Sequence, residues 1–199
     1  DPRLERVVCL KLLGPQYEYQ ADVQARFQRE AKTASALLHD RIVSIYEVGG
    51  QRGLPFLVMP LLRGQSLRAL LSQELQVPWG RTLGYIQGVV EGLEFAHRQG
   101  VLHRDLKPDN LWVTSEDEIK ILDFGLARTV ESGEPLTQSG TVLGTPSYMS
   151  PEQVLGQSLD ARSDLFSVGV IFLEMLTGQA PFRKANVIST LFAITHEPL

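Results

Sequence analysis

The pattern of apolar and polar positions separates a strand-rich opening from a helical remainder. Residues 6–13 are rich in leucine and valine and stop at Gly14 and Pro15, which predicts a strand with Cys9 and Lys11 on one face. From residue 21 to 38 the period changes, and Val23, Phe27, Ala31, Ala34 and Leu38 fall along one side of a helix with Glu30 at the stripe's edge. Residues 41–48 and 54–59 predict two more strands, joined by a turn through Gly49, Gly50 and Gly53. Helices follow at 66–73, where Ser66 can cap, and at 81–99, 160–177 and 184–195. In the second of these, Gly84, Gly88, Gly92 and Ala96 form a small-residue ridge that another helix could approach closely. Gln87, Glu91 and Glu94 place that packing in a water-soluble lobe rather than a membrane.

Composition narrows the class. The 199 residues, 43% hydrophobic and 21% charged, suit one domain or two tightly joined lobes with a real core. A net charge of −4 gives no electrostatic case for nucleic acid or an anionic membrane as partner. The apolar stretch 165–176 is too short to span a bilayer and carries Glu174, so it predicts a buried helix and no membrane contact from this segment. Cys9 is the single cysteine and cannot form an internal disulfide, which fits a reducing, cytoplasmic compartment. No signal-peptide pattern opens the chain, and an anchor elsewhere in a longer protein stays compatible. His39, His97 and His196 lack metal-ligand spacing.

Candidate chemistry concentrates in residues 103–110, which pack His103, Arg104, Asp105, Lys107, Pro108, Asp109 and Asn110 into eight positions. After the apolar run 119–122 comes Asp123, followed by Phe124 and Gly125. A carboxylate at a strand end and an asparagine oxygen are natural donors for a hard divalent cation, so Asn110 and Asp123 read as half of a Mg2+ site. The competing reading is a polar loop between two strands.

These two segments resemble the catalytic loop and metal-binding motif of eukaryotic-type (Hanks-type) serine/threonine protein kinases. The resemblance runs from about residue 7 to the end and implies an α+β, bilobal fold. Residues 1–59 would be part of a small N-lobe, 60–64 the hinge, and 65–199 a mainly helical C-lobe. It implies ATP and Mg2+ as cofactors and protein serine or threonine hydroxyls as acceptors. Asp105 would orient the attacking hydroxyl, Lys107 would steady the γ-phosphate, and Asn110 and Asp123 would hold the metal. Lys11 would pair with Glu30 and hold the α and β phosphates. Pro60 would offer its carbonyl and Leu62 its N–H to adenine, with Met59 guarding the back of the pocket. His103 and Phe124 would stack the loop on the core, and Asp164 would accept hydrogen bonds from the backbone around His103 and Arg104. Cys9 stands at the alanine of the family's Val-Ala-Ile-Lys and would form part of the adenine-pocket roof, or else be an inert core residue.

Residues 128–145 turn polar and lie ahead of Ser150, Pro151 and Glu152, which resemble the family's Ala-Pro-Glu. The resemblance makes them an activation segment. Gly144, Thr145 and Tyr148 match the peptide-positioning stretch, with Thr145 near Asp105 and Lys107. Arg26, Arg104 and Arg128 would converge on a phosphorylated Thr137, Ser139 or Thr141, with a second copy of the chain as a trans-autophosphorylation partner. Compact loops and Gln153 after Glu152 look like bacterial members of the family. No GxGxxG occurs, and the last helices and the arginine that pairs with Glu152 have no counterpart in these residues. The expectation is therefore a piece of an active kinase that binds ATP poorly by itself and exposes apolar surface. A pseudokinase-like scaffold and a small-molecule phosphotransferase are the alternatives.

Overall fold

The computed structural model describes residues 5–14, 20–51, 54–124 and 146–197. Strand β1 (Val8–Leu12) turns Leu10 and Leu12 to solvent and half-buries Cys9 and Lys11, as a two-residue period requires. It joins β2 (Glu47–Gln51) and β3 (Leu54–Pro60) in an antiparallel sheet ordered β1-β3-β2. Its register sets Cys9 opposite Met59 and Lys11 opposite Leu57. Helix α1 (Ala21–Ser35) lays Val23, Phe27 and Ala31 against this sheet, and with Leu13 and Leu57 they form a small core.

A second, larger core is mainly helical. Helices α2 (Leu67–Gln73), α3 (Trp79–Arg98), α4 (Pro151–Val154), α5 (Ala161–Thr177) and α6 (Val187–His196) surround it. A small sheet of β4 (Gly64–Ser66), β5 (Leu111–Thr114) and β6 (Ile119–Ile121) completes it. Two apolar clusters, one built on a sheet and one on helices, make the architecture α+β and bilobal. The lobes also meet behind the strands. Ala34, Leu37 and Ile42 belong to the larger core, and residues 41–43 pair with β6 through Val43 N–H to Ile121 O (2.9 Å) and Ile121 N–H to Arg41 O (2.7 Å).

Local signals hold well in the helical lobe. The Ser66 hydroxyl caps α2 by accepting from Ala69 N–H, Asp160 caps α5 from Arg162 N–H, and Asn186 caps α6 from Ser189 N–H. Three expectations need correction. Helix α1 ends at Ser35, so the chain turns before Leu38, which is exposed, and Leu37 enters the core instead. The predicted strand over 41–48 is largely extended coil, and β2 begins at Glu47 and runs through Gly49 and Gly50. At Gly49 the strand requires a bare backbone, because the Phe56 ring lies over it and an added Cβ would stand 2.3 Å from the ring. Two glycines of the α3 ridge pack on β6 and the segment before β2 rather than on a helix. Gly88 and Gly92 admit Ile119, Ile121 and Arg41, while Gly84 faces open space. Among the described residues no helix is long and apolar enough to cross a membrane.

Candidate active site

The loop after α3 owes its shape to one buried carboxylate. Asp164 of α5 is 2% exposed and accepts from His103 N–H (2.9 Å), Arg104 N–H (2.8 Å) and His97 Nε2 (2.7 Å). Burial alone would raise its pKa. The His97 bond, the electrostatics of neighbouring His103 and the two backbone N–H groups outweigh that and hold it below the usual carboxylate range. These bonds hold Arg104 at φ 69°, a left-handed conformation that a side chain with a Cβ adopts at a cost. The expected backbone role of Asp164 is thus present, and His97 joins it as a partner.

His103 is fully buried and uses both ring nitrogens. Its Nδ1 accepts from Asp105 N–H (3.3 Å), so Nε2 carries the proton and donates to Leu122 O (2.8 Å). Its ring meets Phe124 edge to face at 4.9 Å, as the resemblance implied. The loop and the segment after β6 are thereby fixed to each other. Leu122 N–H also bonds Asn110 O (2.9 Å), which sets Asp123 beside the loop.

The charged side chains gather here. Lys107 Nζ lies 2.6 Å from Asp105 Oδ2, and Asn110 Nδ2 donates to Asp105 O (2.8 Å) and Oδ2 (3.1 Å). With Asp105 Oδ2 so occupied, Oδ1 makes no hydrogen bond among the described residues and can accept from an incoming hydroxyl. Because both contacts of Asn110 use its amide nitrogen, its Oδ1 remains for a cation. Asp123, at φ 61°, supplies carboxylate oxygens. Hard oxygen donors in this number suit Mg2+, which takes one or two protein ligands and completes its shell with phosphates and water. Consistent with so sparse a set, no group of three His, Cys, Asp or Glu occurs at metal-binding spacing among the described residues.

Lys11 reaches into the same cleft and departs from the expected pairing. Its Nζ lies 2.6 Å from Asp123 Oδ2, and among the described residues no ion pair joins it to Glu30, on the half-buried flank of α1. Asp123 also borders a cavity lined by Ile45, Leu57, Met59, Leu122 and Phe124, among others, but not by Cys9 or Lys11. Met59 and Leu57 are the strand partners of Cys9 and Lys11. Pro60 ends β3, and beyond it Leu62 N–H has no hydrogen bond among the described residues.

Two groups escaped sequence reading. Glu174, 5% exposed, pairs with Arg68 (2.8 Å) and accepts from the Tyr148 hydroxyl (2.6 Å), while Arg68 also bonds Tyr148 and approaches Asp109 (3.6 Å). Burial and the bond to Glu174 push the Tyr148 phenol well up. A glutamate inside the apolar stretch 165–176 was the available signal, because a buried carboxylate requires a cation. The second group is Gln153, whose Nε2 donates to Arg104 O (2.6 Å). Glu152, expected to await an arginine, accepts from the Ser163 hydroxyl. The Arg26 side chain, Gly125, Arg128, Thr137, Ser139, Thr141, Gly144 and Thr145 lie outside the described residues, and with them the proposed phosphate cluster and peptide-positioning contacts.

The chain is 41% identical over 202 residues to a probable serine/threonine-protein kinase of Streptomyces coelicolor, covering 99% of this chain and 30% of the relative. It is 38% identical over 192 residues to the serine/threonine-protein kinase PknL of Mycobacterium tuberculosis, covering 96% and 48% respectively. It is 42% identical over 201 residues to the serine/threonine-protein kinase pkn3 of Myxococcus xanthus, covering 97% and 36%. The chain therefore spans less than half the length of each of these bacterial relatives. Residues 3–198 match the protein kinase domain family, and the chain belongs to it.

Proposed function

We propose that this chain is the catalytic core of a protein serine/threonine kinase that moves the γ-phosphoryl group of ATP to protein hydroxyls. The observation that carries the reading is the run of contacts from Lys107 and Asn110 through Asp105 to the Asn110–Leu122 backbone bond and the Asp123–Lys11 pair. This one run of contacts links four charged side chains and a carboxamide. Asp105 Oδ1 accepts the substrate hydroxyl's hydrogen bond and orients its oxygen for attack. Lys107 exchanges part of its contact with Asp105 for a γ-phosphate oxygen as charge develops there. Lys11 leaves Asp123 for the α and β phosphates, and Asn110 and Asp123 would hold Mg2+. Bound there, Mg2+ would supply positive charge that neutralises the phosphates.

Pro60 O and Leu62 N–H offer an acceptor and a donor to the adenine edge, beneath a roof that includes Cys9, with Met59 behind. Proline's missing N–H costs nothing at a position where only a carbonyl is used. Glu30 aligns Lys11 once the nucleotide draws the lysine from Asp123. The acceptors are protein serines and threonines, including Thr137, Ser139 or Thr141 of a second copy, and the setting is the cytoplasm. Support for serine/threonine specificity comes from Lys107, two residues after Asp105, and from the names of the relatives.

The test is labelling with γ-labelled ATP and Mg2+ in the presence of a protein acceptor, followed by acid hydrolysis. Label in phosphoserine and phosphothreonine supports the reading. Label confined to phosphotyrosine or to small molecules refutes it.

A further inference from the structure

We infer that the carboxamide of Gln153 is a positioning group for Asp105, fixing the peptide plane that joins Arg104 to Asp105. That plane is held at both of its polar atoms. Its carbonyl, Arg104 O, accepts from Gln153 Nε2 at 2.6 Å, and its N–H, that of Asp105, donates to His103 Nδ1 at 3.3 Å. The preceding N–H, that of Arg104, is held by Asp164 at 2.8 Å. A residue at φ 69° gains nothing from staying there unless such bonds over-determine it. The direction of the Asp105 side chain follows from this plane.

The residue type at 153 carries the inference. Gln153 is the third residue of α4, where its Oε1 accepts from Ser150 N–H (2.8 Å) and its own N–H donates to the Ser150 hydroxyl. Glutamate would serve that capping box equally well, since the box needs only a side-chain acceptor. The bond to Arg104 O needs a donor, which glutamine has and glutamate lacks. One amide orientation satisfies both contacts: oxygen to Ser150 N–H, nitrogen to Arg104 O. The short helix that follows residues 146–148 is thus tied by one side chain to the residue before the proposed proton acceptor.

Its kinetic consequence rests on the phosphotransfer reading, whereas its geometry does not. Gln153→Glu separates the two bonds, because it keeps the cap and turns a carboxylate oxygen toward a carbonyl. In the full-length protein the expected result is a drop in kcat of about tenfold or more, the scale of a small misplacement of a reacting group. KM for ATP should stay within about twofold. Amide hydrogen exchange should quicken at Asp105 while staying unchanged across residues 153–155. Gln153→Ala should lose both bonds and show the same kcat effect with a lowered melting temperature. Wild-type kcat and wild-type exchange at Asp105 in Gln153→Glu would overturn the inference. If the unaltered protein transfers no phosphate, the kinase reading fails, and exchange at Asp105 alone decides whether Gln153 positions the loop.

Discussion

Lys11 closes on Asp123, Nζ to Oδ2 at 2.6 Å, with the two side chains 41% and 21% exposed. A pair this open to water contributes about 1 kcal/mol or less to folding. Lys11→Met should therefore leave chemical denaturation almost unchanged while lowering phosphotransfer by about a hundredfold, the scale of losing one preorganised charge at a reacting phosphate. A loss of several kcal/mol in the denaturation curve would make the pair structural instead.

Asp164 links the site to pH. Its folded pKa lies below its unfolded value near 4, so the stability it contributes is fully present above that pH and is lost as the pH falls through the folded value. Asp164→Asn should cost about 2–3 kcal/mol at pH 7, in line with charge-assisted hydrogen bonds, and should flatten the pH dependence of unfolding below about pH 4. Parallel pH profiles for the two proteins would count against this carboxylate as the loop's anchor.

Arg68 and Glu174 make an asymmetric pair, with side chains 32% and 6% exposed. Removing the arginine strands a carboxylate in the core, whereas removing the carboxylate leaves an arginine that still reaches Asp109 and solvent. Arg68→Ala should thus destabilise by about 3–5 kcal/mol and Glu174→Leu by less. Thermal or urea unfolding ranks the two. The reverse order would show that packing of the Glu174 stem outweighs the charge.

The glycines of α3 offer a test of packing. Gly88 and Gly92 would place an added Cβ 2.5 Å from Ile119 and 2.8 Å from Ile121, while Gly84 meets nothing within 4 Å. Alanine at 88 or 92 should cost about 1–3 kcal/mol by overpacking. At 84 it should stabilise by up to about 1 kcal/mol through helix propensity. Equal effects at the three positions would mean that β6 does not rest on the ridge.

Residues whose roles are local could be read directly from the chain. The charge density of residues 103–110, the apolar run ahead of Asp123 and the cap at Ser66 are each visible in a few neighbouring residues, whereas the shape of the 103–110 loop depends on Asp164, about sixty positions away. Partner choice across space was not legible. The pairing of Lys11 with Asp123 depends on the placement of the segment after β6, which His103 and Asn110 fix across space. Helical periodicity carried past Ser35 misassigned Leu38 because periodicity contains no stop, and Ala36 gives no cap signal. Gly49 read as part of a turn because the Phe56 ring that requires a bare backbone there lies on the next strand. Gln153 read as part of a motif, yet its contact with residue 104 spans 49 positions.

The most direct test of the account is single-turnover transfer from ATP in the presence of Mg2+ to a protein acceptor, comparing Asp105→Asn with the unaltered full-length protein. Asparagine keeps the size of the side chain and one acceptor oxygen but cannot carry the charge that draws the hydroxyl proton. The account predicts ATP binding within about twofold of the original and transfer slower by about 10²–10⁴-fold, the usual contribution of a positioned acid–base group. Transfer at the original rate would remove Asp105 from the chemistry and with it the reading of this cleft as a phosphotransfer site.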